Sequence, residues 1–423
     1  MTADHRIQGI STAELAAQHG TPLYVYDADL LRDQYRTLRE VLHPAVEIFY
    51  SLKANPNVAI CAELRKLGSG AEVSSLVELA TARRAGVDDA RIIFLGPGKS
   101  REELAEALSE DGCTVVCESF GELDLCEELA REHALSPRVM LRVNPAFEVR
   151  GAGLSMGGKP RQFGMDEEQL LAVDEPAARW PSLRIVGVHA YMGTRILSED
   201  TVVTNTEGIL DLAERISSRL GFPLDVVDIG GGLGVAYFDN ESDLDPKSLT
   251  QRLNPVVETF HARRPGTRVI MELGRYLTAP AGTYVMRVRY TKTSRGERFA
   301  ITDGGTHHHM AAVGIGSFVK RNFPATALGR SADTETEPWN VCGPLCTPGD
   351  TLLKKASLPD LRPGDLIAIE RSGAYGPSAS PVFFLSHGHP AEVLVADGRA
   401  HLVRRRDTLD DLLGKQVPVD PES

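Results

Sequence analysis

Lys53 closes the apolar run Val46-Glu47-Ile48-Phe49-Tyr50-Ser51-Leu52 and is followed at once by Ala54-Asn55-Pro56-Asn57. Alternating and β-branched apolar residues indicate a buried strand, and Asn-Pro ends it. An amine therefore stands where a core strand opens into a loop. Taken alone, it reads first as a strand-end lysine whose head reaches water. A second segment, Asp228-Ile229-Gly230-Gly231-Gly232-Leu233-Gly234, follows another apolar strand. Its glycines let the backbone approach an anion, and their N–H groups can cradle a phosphate. A plain strand-to-helix turn has the same composition, and the dinucleotide spacing Gly-x-Gly-x-x-Gly is not met. A third segment, Met271-Glu272-Leu273-Gly274-Arg275, offers a carboxylate and a guanidinium close together. They form either an ion pair or two separate tools, Arg275 clamping a phosphate and Glu272 holding a proton on a pyridine nitrogen.

Taken together, an amine, a phosphate cradle and a carboxylate describe a pyridoxal 5′-phosphate (PLP) site. The amine bonds the cofactor's aldehyde, and the protonated ring draws electrons from the substrate.

Such a site needs a scaffold that brings distant segments to one place. Eight short apolar runs lie between residues 46 and 275: Val46–Lys53, Gly70–Ser75, Arg91–Pro97, Cys113–Ser119, Arg138–Asn144, Ile185–Tyr191, Asp225–Gly231 and Arg268–Gly274. Most gaps between them carry helical patterns, which predicts a (β/α)8 TIM barrel; an open doubly wound sheet is the alternative. In a barrel, Lys53, His189, Tyr191, Gly230–Gly232 and Glu272 all fall at the C-terminal strand ends, where barrel chemistry occurs. After Arg275 the runs Gly282–Tyr290, Phe299–Asp303, Asp365–Glu370 and Glu392–Val395 alternate with turns, as in a β-barrel or β-sheet domain. Pro22–Tyr26 reads as a further strand of that domain. The expected organisation is a PLP-binding barrel over 28–275 and a β domain over 1–27 and 276–423. Ser331–Pro338 reads as a polar loop, and Val417–Ser423 carries no pattern.

The 423 residues are 42% hydrophobic and 25% charged, ordinary for a folded globular chain. Lys+Arg 46 against Asp+Glu 58 gives −12, which disfavours nucleic acid as a partner. No export signal and no membrane-length apolar stretch is visible, so neither a membrane partner nor an oxidising compartment is expected. The six scattered cysteines are expected to be free thiols in a cytoplasmic protein.

The chain resembles the alanine-racemase-fold (type III) PLP-dependent decarboxylases, which include diaminopimelate, ornithine and arginine decarboxylases. The resemblance runs from about Pro22 to Val395. It rests on Phe49–Asn57, Gly70-Ala71-Glu72-Val73-Ser74-Ser75-Leu76-Val77-Glu78, Leu141-Arg142-Val143-Asn144-Pro145, Gln162-Phe163-Gly164, Asp228–Gly232, Glu272-Leu273-Gly274-Arg275, Gly343-Pro344-Leu345-Cys346 and Gly373-Ala374-Tyr375, in that order. The resemblance implies that Lys53 holds PLP. It places Gly230, Gly231, Gly232, Gly274, Arg275 and Tyr375 at the phosphate, and Glu272 at the ring nitrogen. Cys346 is implied to protonate the product carbon in the active site of the partner subunit of a homodimer. Arg142 and Asp303 are implied to meet the substrate.

Departures from the family bear on substrate. The family usually has His-x-Gly-Ser after strand six, its imidazole stacked on the cofactor; here Tyr191 takes that position and Thr194 that of the serine. The acidic residue that normally follows the catalytic cysteine, and reads a distal amine, is Thr347. Phe383 and Phe384 replace a more polar segment. These features are similar to the branch used in antibiotic and siderophore assembly, which includes a decarboxylase of glutamate bound to an acyl-carrier protein. The expectation is an α-decarboxylase of an acidic, acylated or carrier-bound amino acid. The alternatives are diaminopimelate decarboxylation, racemisation on the same barrel, and a non-catalytic regulator. Against the last, Lys53, Glu272, Arg275 and Cys346 are all kept. His307-His308-His309 is read as polar pocket lining or surface rather than a metal site, because adjacent strand residues diverge.

Overall fold

The computed structural model describes residues 5–109, 112–148, 154–313, 321–331 and 334–419. Of the expected unpatterned regions, 332–333 and 420–423 lie outside the described residues. The chain divides into two compact units, one of 32–236 and 241–277, the other of 1–31, 237–240 and 278–423.

The first unit is a closed parallel barrel. Its strands are β1 (Val46–Ser51), β2 (Gly70–Val73), β3 (Ile92–Phe94), β4 (Thr114–Cys117), β5 (Arg138–Asn144), β6 (Arg184–His189), β7 (Val226–Gly231) and β8 (Arg268–Leu273). Each pairs in parallel with the next, and β8 pairs with β1, which closes the ring. The closure settles the choice against an open sheet. Helices start where serine and aspartate caps occur: Ser75, Ser100, Ser119, Ser198 and Asp245 each accept a backbone N–H of the first turn. The long helix Glu199–Leu220 buries Val202, Ile209, Leu212, Ala213, Ile216 and Leu220, one apolar stripe at helical spacing.

The second unit is a twisted β-sheet domain. Leu23–Asp27 runs antiparallel to Gly282–Ser294 and parallel to Ala391–Ala396, so the N-terminal strand joins strands from the far end of the chain. Leu23, Val25, Val285, Ala368, Val393 and Val395 share one buried cluster. The loop expected over Ser331–Pro338 is shorter than read, because Thr336–Cys342 is a strand paired with Thr351–Pro359. Its Trp339 and Val341 are buried, and that burial outweighs the polar composition of the preceding residues. Among the described residues no helix is long and apolar enough to cross a membrane.

Candidate active site

The barrel interior is layered by the two-residue period of its strands. Phe49, Ile93, Val116, Met140, Val186, Val226 and Ile270 form one apolar cluster. Two residues further along, on the same strand face, come Glu118 after Val116, Arg142 after Met140, Asp228 after Val226 and Glu272 after Ile270. Hydrophobic side chains plug the barrel, and a layer of buried ionisable groups lies on top of the plug.

Lys53 enters this layer from a turn rather than from the strand itself. β1 ends at Ser51, whose pairing with Glu72 is the last of the register, and Leu52–Ala54 forms a 3-10 turn. Asn55, preceding Pro56, is extended and carries the chain away. The Nζ of Lys53 lies 2.9 Å from Glu72 Oε2 and 5.4 Å from the centre of the Tyr191 ring. Ser74 Oγ donates to the other Glu72 oxygen at 3.0 Å. The Lys53 side chain is 37% exposed while Glu72 is wholly buried. Another barrel lysine, Lys99, has a side chain only 2% exposed and bound to Glu122, Gly96 O and Val116 O. Lys53 is the reachable amine of the two.

Glu272 meets His189, with Nε2 3.1 Å from Oε1 and both side chains 1% exposed. Burial pushes the Glu272 carboxyl up, but the His189 ring and its hydrogen bond, with the charges of Lys53 and Arg142, outweigh burial and hold it well below the usual range. Asp228 behaves oppositely: burial, then the neighbouring Glu272 charge, raises its pKa strongly, although it accepts the Gly230 N–H at 2.8 Å. Of these adjacent carboxyl groups, Glu272 is held toward its charged form and Asp228 is pushed toward its protonated form. The donor atoms of His189, Asp228 and Glu272 lie within 4.8 Å of one another, close enough for a metal ion. His189 already engages one Glu272 oxygen, and a carboxylate held toward its charged form suits a protonated ring nitrogen.

Arg142 is paired with Glu118 at 2.8 Å and lies 4.8 Å from the centre of the Phe163 ring, so its charge is already met within the barrel. Gly231 has no room for a side chain, since a Cβ there would come 1.6 Å from Glu272 O. Gly232, at φ +79°, would meet Gly193 O at 2.0 Å. The glycine run is thereby pressed against Glu272 and against the Gly193–Thr194 strand. Gly274 lets the end of β8 close on the Lys53 turn, because a Cβ there would touch Ala54 Cβ at 2.8 Å. Arg275 follows, half-buried, at the head of Arg275–Thr278. The barrel unit thus brings together Lys53, Tyr191, Thr194, Gly230–Gly232, Glu272 and Gly274.

The remaining expected residues belong to the β unit. Cys346 is exposed in the loop after Thr336–Cys342, with Thr347 half-buried beside it. Asp350 ties that loop, accepting Leu345 N at 2.8 Å, Thr306 N at 2.7 Å and Thr306 Oγ1 at 2.9 Å. Asp303 accepts Thr21 Oγ1 at 2.5 Å and Arg287 N at 2.9 Å. Tyr375 is half-buried at φ 55°, a left-handed conformation rare for a tyrosine. Phe383 and Phe384 are exposed. His307, His308 and His309 are all buried, so surface is excluded for them.

Glu72, Glu118, His189 and Asp228 were not assigned from sequence. Their signal was present: a charged or imidazole side chain in or just past an apolar strand, with Glu118 and Asp228 each two residues past a core position.

Comparison with known proteins supplies independent information. A family model described as "Pyridoxal-dependent decarboxylase, pyridoxal binding domain" matches residues 28–279. The chain is 41% identical over 410 residues to the L-glutamyl-[BtrI acyl-carrier protein] decarboxylase of Niallia circulans, covering 96% of each. It is 31% identical over 401 residues to a diaminopimelate decarboxylase of Helicobacter pylori, covering 94% of this chain and 96% of that protein. The crystal structure of diaminopimelate decarboxylase from Helicobacter pylori complexed with L-lysine superposes with a TM-score of 0.84 at 30% identity, covering 95% of this chain and 98% of the other.

Proposed function

The chain belongs to the pyridoxal-dependent decarboxylases, enzymes whose cofactor is PLP, and we propose that its substrate is an α-amino acid whose distal carboxyl is esterified, such as glutamate held as a thioester on an acyl-carrier protein. The observation that carries the substrate reading is the state of the loop around Cys346. Thr347 offers no charge, and the loop's one carboxylate, Asp350, is buried and engaged by three donors. Asp303 is likewise held, accepting from Thr21 Oγ1 and Arg287 N. Both carboxylates are fixed in place by neutral donors, whereas Thr347, next to the thiol, gives a distal ammonium no charge to pair with, and burying it unpaired would cost several kcal/mol. The 41% identity to a carrier-bound glutamate decarboxylase supports the same reading.

The residues present fit the cofactor. Lys53 is a reachable amine, Glu272 is a buried carboxylate held ionised, and the glycine run excludes side chains beside it. PLP, when bound, supplies an aldehyde for amines and a ring that takes up the electron pair left by the departing carboxylate. Lys53 would hold it, with Glu72 positioning Nζ through the hydrogen bond it accepts. Glu272 keeps the ring nitrogen protonated through a charge-assisted hydrogen bond, and His189 keeps Glu272 charged. Tyr191, whose ring centre lies 5.4 Å from Lys53 Nζ, and Thr194 would hold the cofactor ring. Gly230, Gly231, Gly232, Gly274, Arg275 and Tyr375 bind the phosphate. Arg142, braced by Glu118, orients the substrate, and Phe383 and Phe384 cover its acyl portion. Cys346 delivers the proton to the product carbon from the partner subunit of a cytoplasmic homodimer.

The test is carbon dioxide release by the PLP-loaded protein from glutamyl-carrier protein, free glutamate and meso-diaminopimelate. Release from the thioester alone supports the reading. Efficient release from the diamino acid, with kcat/KM of about 10⁴ M⁻¹s⁻¹ or above, overturns it.

A further inference from the structure

Lys99 keeps an ammonium inside the barrel wall, with its side chain only 2% exposed, where lysine is rarely found. Its Nζ lies 2.6 Å from Glu122 Oε1 and donates to Gly96 O at 2.7 Å and to Val116 O at 2.9 Å. Gly96 lies just past β3, Val116 is in β4, and Glu122 is in the first turn of the helix Phe120–Glu132. One buried cation thus ties three elements of the barrel unit together.

The same segments hold Glu118. Its Oε1 accepts Gly96 N at 2.8 Å and Arg142 Nη1 at 2.8 Å, and its own N–H donates to Glu122 Oε2 at 2.8 Å. Gly96 is gripped on both sides, its carbonyl by Lys99 and its N–H by Glu118. It stands at φ +131°, a conformation that glycine adopts readily and other residues do not. Two routes of contact, through Glu122 and through Gly96, therefore run from Lys99 to Glu118 and on to Arg142.

An ion pair is not needed merely to hold two strands, since well-packed apolar residues of similar volume do so as well. What a fully bonded polar network adds is one fixed geometry. That geometry ends on Arg142. Among the described residues its side chain makes one hydrogen bond, to Glu118, and its guanidinium lies 4.8 Å from the centre of the Phe163 ring. A guanidinium carries several further N–H donors, which equips it for a ligand.

We propose that Lys99 is a positioning residue, which through Glu122, Gly96 and Glu118 fixes the direction in which Arg142 presents its guanidinium to the substrate. The inference rests on the reading that Arg142 meets the substrate, and it adds the buried cation that aims it. Lys99, walled in by the barrel, acts only through these neighbours.

The test compares wild-type holoenzyme with Lys99→Met, the double variant Lys99→Met/Glu122→Gln, and Arg142→Met. Melting temperatures are measured, and KM and kcat are read on whichever of glutamyl-carrier protein and meso-diaminopimelate the wild type uses. Lys99→Met leaves the Glu122 charge buried without its partner and should melt lower. The double variant carries neither charge and should melt close to wild type. Its KM should nonetheless remain about tenfold raised with kcat much less affected, the size of one misplaced hydrogen bond. Arg142→Met should raise KM at least as much. A double variant whose KM is that of the wild type, while Arg142→Met raises KM, would show a purely structural pair and overturn the proposal alone. An unchanged KM in Arg142→Met would sink the reading of Arg142, and the proposal with it.

Discussion

His189 Nε2 lies 3.1 Å from Glu272 Oε1 in the barrel interior, and through this contact a fully buried carboxylate stays ionised. Without the imidazole, burial, which raises the carboxyl's pKa, is opposed by the charges of Lys53 and Arg142, the smaller of the lowering influences. His189→Leu should therefore bind PLP but lose roughly 100-fold in kcat, with the acid limb of the kcat–pH profile moved to higher pH. His189→Gln, which can still donate, should lose less. An unaltered kcat in His189→Leu would remove His189 from the mechanism.

Glu78 supplies a pH-dependent prediction for the folded chain. Burial raises its pKa to about 7 against an opposing hydrogen bond from Ser74 N, with the Glu72 charge adding to the rise. The folded state thus binds this proton more tightly than the unfolded state. Stability linked to Glu78 is full below the ordinary glutamate range near 4.5 and declines as pH rises to about 7. Glu78→Gln should leave stability nearly unchanged at pH 4 and raise it by up to about 3 kcal/mol at pH 8. Urea unfolding at the two pH values measures the difference, and equal effects at both would contradict the assignment.

The barrel was legible because its strands are short apolar runs bounded by turn residues, and all eight recur within a few positions of where the pattern puts them. Lys53 and Glu272 were legible because a charge at the end of such a run stands out. Glu118 and Asp228 were hidden, since their partners lie on other strands and only closure of the ring brings them together. The burial of His307 was equally hidden: adjacent histidines read alike in sequence, and their difference arises from Gly388, Tyr284 and Ser372, far along the chain. The strand over Thr336–Pro338 was masked by polar composition and became visible only through pairing with Leu358 and Ser357.

The charge-free position after Cys346 predicts a specificity change. Thr347→Glu places a carboxylate beside the thiol, where the distal ammonium of a diamino acid could pair with it. The variant should gain at least about tenfold in kcat/KM for meso-diaminopimelate and lose on glutamyl-carrier protein. Steady-state kinetics on both substrates decides it, and no movement in their ratio would detach Thr347 from substrate recognition.

The proposed sharing of each active site between two subunits predicts complementation. Lys53→Ala and Cys346→Ala should each be nearly inactive as pure proteins. After subunit exchange their equal mixture should recover about a quarter of wild-type activity, since half the dimers are hybrids and each hybrid holds one intact site. Absence of recovery, with exchange verified by mass, would place Cys346 within its own chain's chemistry or outside it.

The most direct measurement is the intact mass of glutamyl-carrier protein incubated with PLP-loaded enzyme, with meso-diaminopimelate as competitor. The account predicts that the carrier protein loses the mass of one carbon dioxide while the diamino acid is left intact. A carrier protein of unchanged mass beside rapidly consumed diaminopimelate would contradict it.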